Sequence, residues 1–193
     1  MARKQVLVID VEATCWRGKP PPGEQRELIE IGLCAFDTER GQPAEKRSIL
    51  IKPQCSTISE FCTELTSITP EMAASGVLFN EACTLLRRDY DSQNVIWTSW
   101  GKDDRRMFEK QCASFRVTYP FGPQQHIDLR RLFAQLQRTD PRVKLRQVGL
   151  KTALEMMDLQ YEGTAHRGVD DAYNTARLLA AMYERYGSEI IKA

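Results

Sequence analysis

The sequence predicts a mixed α/β fold, a sheet carrying helices on both faces. The chain opens with three apolar runs of strand length in succession, and the remainder is mostly helical in its periodicity, interrupted by one further strand. A third observation is an absence: no G-x-G-x-x-G comes after the first run and no G-x-x-x-x-G-K-[ST] occurs. Glu12, Ala13 and Thr14 stand where a dinucleotide-binding turn would place glycines, so a doubly wound dinucleotide fold is disfavoured.

Gln5 to Val11 reads as a buried strand, Leu28 to Phe36 as a second and Arg47 to Lys52 as a third, an order that suggests a meander. Between the first two, Pro20, Pro21, Pro22 and Gly23 exclude helix and mark a long surface loop over Arg17 to Glu27, directly after the first strand. After Pro53 the chain turns helical over Ser59 to Leu65. Thr69-Pro70-Glu71 then reads as an N-cap, a proline at the first helical position and an early acidic residue, with Gly76 ending that short helix. Asn80 to Tyr90 supports another helix, Asn94 to Ser99 a fourth strand and Asp103 to Phe115 a helix whose start carries two aspartates. Asp128 caps a helix through Gln137. Arg146 to Met157 is helical with Leu150, Ala153, Leu154 and Met157 at core spacing, and Asp170 to Tyr186 is a strong amphipathic helix.

No internal repeat, low-complexity tract or interdomain linker interrupts this order, and no accessory nucleic-acid domain is visible, so residues 1–193 are expected to form one domain. A chain of that length buries roughly 70% of its unfolded surface without help from disulfides. Six cysteines with no C-x-x-C pair, and only His126 and His166 beside them, make a structural zinc site improbable and reduced thiols the simpler expectation. Asp10 and Glu12 break the apolar amino-terminal stretch, which fits neither a signal peptide nor a membrane span, so a soluble, cytoplasmic protein is expected.

A formal net charge of +1 argues against nucleic-acid binding through a globally basic surface. Local charge is more informative. Between His126 and Lys151, Arg130, Arg131, Arg138, Arg142, Lys144, Arg146 and Lys151 face only Asp128 and Asp140, which reads either as a phosphate-facing rim or as a solvated helix face and loop.

The chemistry begins with Asp10 and Glu12 inside QVLVIDVEA. Alternation along a strand points both carboxylates out of one sheet face, and two carboxylates this close repel unless a proton or a metal lies between them. A divalent-cation site is therefore expected, and it needs more ligands. His166 and Asp171 in AHRGVDDAYN, and Asp103 and Asp104 after Trp100 and Gly101, are the candidates.

DVEAT at Asp10 to Thr14, LTSIT at Leu65 to Thr69, WGKDD at Trp100 to Asp104 and HRGVDDAYNTARL at His166 to Leu178 resemble, in order and over essentially the whole chain, the motifs of the DEDDh 3′-to-5′ exonucleases. FCTELTSIT and GLKTALE through YEGTAHRGVDDAYN look most like the Eri-like and KapD-like RNA exonuclease branch. The resemblance implies an RNase H-like fold with a mixed five-stranded sheet and two bound Mg²⁺ or Mn²⁺ ions. By residue matching it implies Asp10, Glu12, Asp104 and Asp171 as metal-binding carboxylates and His166 as general base, leaving Asp103 and Asp170 as helix N-caps.

Phosphodiester hydrolysis independently asks for such a set, because two cations about 4 Å apart serve both the attacking and the departing oxygen of an in-line displacement. An imidazole, titrating near neutral pH, suits removal of a proton from water. For substrate contacts, the backbone amides of Ala13 and Thr14 are expected to meet the terminal sugar and phosphate, Leu65 and Ile68 resemble an apolar wedge between the last two bases, and Trp100 is a possible stacking platform. Core packing is the alternative for Leu65, Ile68 and Trp100, and Glu30 reads as structural.

The expected activity is release of nucleoside 5′-monophosphates from the 3′ end of single-stranded RNA or DNA, RNA favoured. A DNA proofreading or repair exonuclease and a catalytically weak nucleic-acid-binding module are the alternatives.

Overall fold

The computed structural model of the chain describes residues 5–123, 125–138 and 146–191. Strands β1 (Gln5–Ala13), β2 (Leu28–Asp37) and β3 (Gln42–Leu50) form an antiparallel meander, and two short strands extend the other edge in parallel with β1. These are β4 (Trp97–Ser99) and β5 (His126–Asp128), giving a five-stranded mixed sheet in the order β3-β2-β1-β4-β5.

Strand β1 is apolar at consecutive positions because both faces are covered. Leu7 and Ile9 enter one core and Val6 and Val8 the other. Between β3 and β4 the chain forms α1 (Glu60–Thr66), α2 (Pro70–Ala74) and α3 (Phe79–Tyr90); after β4 comes α4 (Asp103–Phe115). Phe79, Leu86 and Phe108, from α3 and α4, fill the first core with Trp97. After β5 come α5 (Leu129–Leu136), α6 (Leu150–Glu155), α7 (Gly168–Tyr186) and a closing 3-10 turn, Ser188–Ile191. Phe133, Leu154, Leu179 and Met182, from α5 to α7, fill the second core. No helix among the described residues is long and apolar enough to cross a membrane, and all six cysteines are free.

Several boundaries differ from the sequence expectation for identifiable reasons. β3 is Gln42–Leu50 instead of Arg47–Lys52, because the Asp37 carboxylate accepts the backbone N–H groups of Glu39 and Arg40 and turns the chain back at once; Ile51 instead bridges Val77. β4 begins at Trp97, since the Asn94 backbone N–H closes a turn onto the Asp91 carbonyl. α6 begins only at Leu150, after Gly149 in extended geometry. Neither expected aspartate N-cap forms. Lys102 and Arg167 occupy the N-cap positions of α4 and α7, Asp103 pairs with Arg106 at 3.2 Å, and Asp170 accepts the Thr164 N–H at 3.0 Å and pairs with Lys46 at 3.3 Å. Of the basic run, Asp140, Arg142 and Lys144 lie outside the described residues.

Candidate active site

The β1–β2 register sets Asp10 opposite Gly32 and Glu12 opposite Glu30, with a bulge immediately after Glu12 that ends the regular ladder. Asp104 arrives from the first turn of α4, and its Oδ1 accepts the backbone N–H of Val11, the residue between the two β1 carboxylates, at 3.0 Å. Asp171 arrives from the first turn of α7. The Tyr161 hydroxyl donates to its Oδ1 at 2.8 Å and the His166 backbone N–H to its Oδ2 at 2.8 Å. His166 is exposed and adopts a left-handed conformation, φ 62°. Glu12, His166 and Asp171 each present a ligand-capable atom within 4.8 Å of the other two. Strand β1, helices α4 and α7 and the loop before α7 thus bring together the five residues singled out for chemistry.

The start of α7 is pressed onto β2 by two glycines: a Cβ on Gly32 would lie 1.8 Å from the Gly168 carbonyl carbon. Beside this contact the fully buried Glu30 acts as an anchor. Its Oε2 accepts the Gly168 backbone N–H at 2.8 Å, its Oε1 accepts the Ser48 hydroxyl at 2.6 Å, and the Arg167 guanidinium pairs with it at 3.3 Å. A carboxylate on the first N–H of a helix satisfies both an orphan donor and the positive end of the helix dipole. Because Arg167 and Gly168 directly succeed His166, Glu30 holds the segment that delivers both His166 and Asp171.

The electrostatics are those of clustered, mutually repelling carboxylates. The carboxylates of Asp10 and Glu12 accept no hydrogen bond from any described residue. Burial, then the nearby Asp104, Asp171, Glu12 and Glu30 carboxylates, push Asp10 well above the usual carboxylate range. Burial and Asp171 raise Glu12 to about 8. Burial raises Asp104 to about 6, held back by the hydrogen bonds from Val11 and its own backbone and from Ser99. Asp171 is also raised by burial, against the pull of Tyr161 and His166. Partly buried carboxylates without donors are stabilised in ionised form by a hard cation, and an all-oxygen carboxylate set suits the small divalent ions.

The expected substrate contacts fare differently. Ile68 is fully buried among Ile29, Cys62 and Ala73, so it is a core residue and not an exposed wedge. Leu65, one turn earlier, is 36% exposed. Thr14 is fully buried and its backbone N–H is spent on the Glu27 carbonyl at 2.8 Å, which removes it as a phosphate donor; its Oγ accepts the Glu27 N–H. Ala13 is buried too. Trp100 donates to the Val148 carbonyl at 3.3 Å and packs on Phe133 of α5, so it belongs to the second core. Tyr161 and Arg167 are site neighbours that sequence reasoning passed over, although both lie inside or beside the HRGVDDAYN segment.

The exonuclease family model RNase_T matches residues 7–179, and the chain belongs to that family. Among similar proteins, 3'-5' exonuclease Snipper of Drosophila melanogaster is 29% identical over 203 residues, which cover 92% of this chain and 68% of Snipper. Human 3'-5' exoribonuclease 1 is 26% identical over 190 residues, covering 93% of this chain and 52% of the relative. Human ERI1 exoribonuclease 2 is 28% identical, but this chain spans only 27% of its length. The fold is that of the nuclease domain of 3'hExo, a DEDDh family member bound to rAMP, with a TM-score of 0.84, 24% identity and coverage of 97% of this chain and 95% of that one. Cell-death related nuclease 4 shares it at a TM-score of 0.79 and 19% identity, over 95% of this chain and 64% of the other. Membership of the exonuclease family implies dependence on divalent metal.

Proposed function

We propose that the chain is a 3′-to-5′ exonuclease that hydrolyses phosphodiester bonds at the 3′ ends of single-stranded nucleic acid, RNA favoured, and releases nucleoside 5′-monophosphates. The observation that carries this reading is the meeting of Asp10 and Glu12, both without hydrogen-bond donors, with Asp104 and Asp171 beside an exposed imidazole. Asp10, Glu12, Asp104 and Asp171 would hold two Mg²⁺ or Mn²⁺ ions. When bound, these supply charge stabilisation to the attacking and departing oxygens. His166 takes the proton from the attacking water and, being exposed, returns it to solvent. The His166 N–H bond to Asp171 couples the position of this base to that of a metal ligand. Tyr161 fixes the other Asp171 oxygen.

The preference for RNA is supported by the relatives named exoribonucleases and by the rAMP held in the 3'hExo nuclease domain. Matched RNA and DNA single strands labelled at the 5′ end, incubated with Mg²⁺ or Mn²⁺, provide the test. A ladder shortening one nucleotide at a time, faster on RNA and lost in Asp10→Ala and His166→Ala, is expected. Faster loss of DNA would favour a repair enzyme, and no release from any strand a binding module.

A further inference from the structure

Arg130 lies in the first turn of α5. Its Nε is buried without a hydrogen-bond partner, and the side chain forms no ion pair among the described residues. A buried donor left unmade costs about 1–3 kcal/mol, and such groups call for an acceptor that the protein itself does not provide.

The strand register says where that acceptor would lie. Leu7 pairs with Trp97 and Val8 with Thr98, while Thr98 pairs with Ile127 and Ser99 with Asp128, all in parallel. β4 ends at Ser99 and β5 at Asp128, so Gly101 lies two residues past the end of β4 and Arg130 two past the end of β5, in the first turn of α5. Arg130 therefore stands at the carboxyl end of the same parallel strands as the carboxylates, two strand spacings from β1, or about 10 Å. The carboxyl ends of parallel strands are where α/β sheets take their ligands. Gly101 adjoins the guanidinium: at φ +125° it adopts a conformation L side chains avoid, and a Cβ there would lie 3.2 Å from Arg130 Nη2. The loop that delivers Asp104 thus also leaves room for the Arg130 head group.

We propose that Arg130 grips a backbone phosphate of the substrate strand on the 5′ side of the scissile bond. This rests on the exonuclease reading and adds a contact to it. With the scissile phosphate at the four carboxylates, the 3′ side holds one terminal nucleoside and no further phosphate. A second phosphate within reach of Arg130 must therefore belong to the upstream strand. A guanidinium suits it, being a planar, permanently charged donor matched to phosphate oxygens.

The test is Arg130→Met, which keeps the aliphatic stem and removes the head group, with Arg130→Lys as the charge-preserving variant. Two substrates separate the roles: a single-stranded oligonucleotide, and the p-nitrophenyl ester of a nucleoside 5′-monophosphate, which has only one phosphate. For Arg130→Met, kcat/KM on the oligonucleotide should fall about tenfold, mostly through KM, with the log–log salt dependence shallower by about 0.7. Hydrolysis of the nitrophenyl ester should be unchanged, Arg130→Lys should recover part of the loss, and the melting temperature should not fall. Equal losses on both substrates, no loss on the oligonucleotide, or a lowered melting temperature would overturn the assignment. Fluorescence anisotropy of a labelled strand in Ca²⁺ keeps the two readings apart. If the wild type binds the strand in Ca²⁺ yet releases nothing from it in Mg²⁺ or Mn²⁺, the exonuclease reading fails, and an unweakened Arg130→Met complex in Ca²⁺ would sink the phosphate contact on its own.

Discussion

Replacing Glu12 with glutamine should stabilise the metal-free protein at pH 8 while destroying its function. In the folded chain Glu12 is raised from an ordinary 4.5 to about 8, chiefly by burial and then by Asp171. Below pH 4.5 the group is protonated in both folded and unfolded chains and contributes nothing. As pH rises the unfolded chain releases its proton first, so stability falls through this window and the penalty is nearly complete at pH 8. Taken at face value the penalty there is about 4 kcal/mol, and partial solvent exposure reduces it to about 2 kcal/mol. For a chain of this size that corresponds to a rise of roughly 4–8 °C in melting temperature for Glu12→Gln. Thermal melts of metal-free wild type and Glu12→Gln should therefore diverge at pH 8 and coincide near pH 4.5, while added Mn²⁺ raises the wild-type melting temperature much more than the variant's. A variant less stable than wild type at pH 8 without metal would show that Glu12 is a structural carboxylate and not one held in reserve for a cation.

Glu30→Gln should cost about 3 kcal/mol, because it leaves the half-buried Arg167 beside a neutral, fully buried amide and weakens the hold on Gly168; chemical denaturation measures it, and a loss within error would remove Glu30 as the anchor of α7. Gly32→Ala should be worse still, more than about 3 kcal/mol or failure to fold, since its Cβ would meet the Gly168 backbone at 1.8 Å where nothing flexible can yield. Tyr161→Phe should leave the melting temperature nearly unchanged and weaken Mn²⁺ binding about tenfold, read by calorimetric titration, because it deletes one hydrogen bond to an ionised ligand.

The long elements and the carboxylate set were legible in the sequence because each has a strong local pattern. β1 is a continuous apolar run broken only by Asp10 and Glu12, and α7 carries an unbroken apolar stripe through Leu178, Leu179 and Met182. β5 was not legible: three partly buried residues, His126 to Asp128, form a strand only because β4 offers a free edge, and no period can be read from so few. Nor could spacing show that Glu30 faces the amino end of a helix more than a hundred residues later, although a glutamate between two isoleucines in a buried strand asks for a partner. The motifs point Thr14 to substrate and leave Ile68 between substrate and core, and burial decides both for the interior, which only three-dimensional packing reveals.

Anomalous scattering from crystals soaked in Mn²⁺ bears most directly on the meeting of the four carboxylates. Two peaks are expected, bounded by the oxygens of Asp10, Glu12, Asp104 and Asp171, with neither peak in Asp10→Ala crystals. Peaks elsewhere, or none beside these four residues at millimolar Mn²⁺, would contradict the metal-centred assignment and with it the roles given to His166 and Arg130.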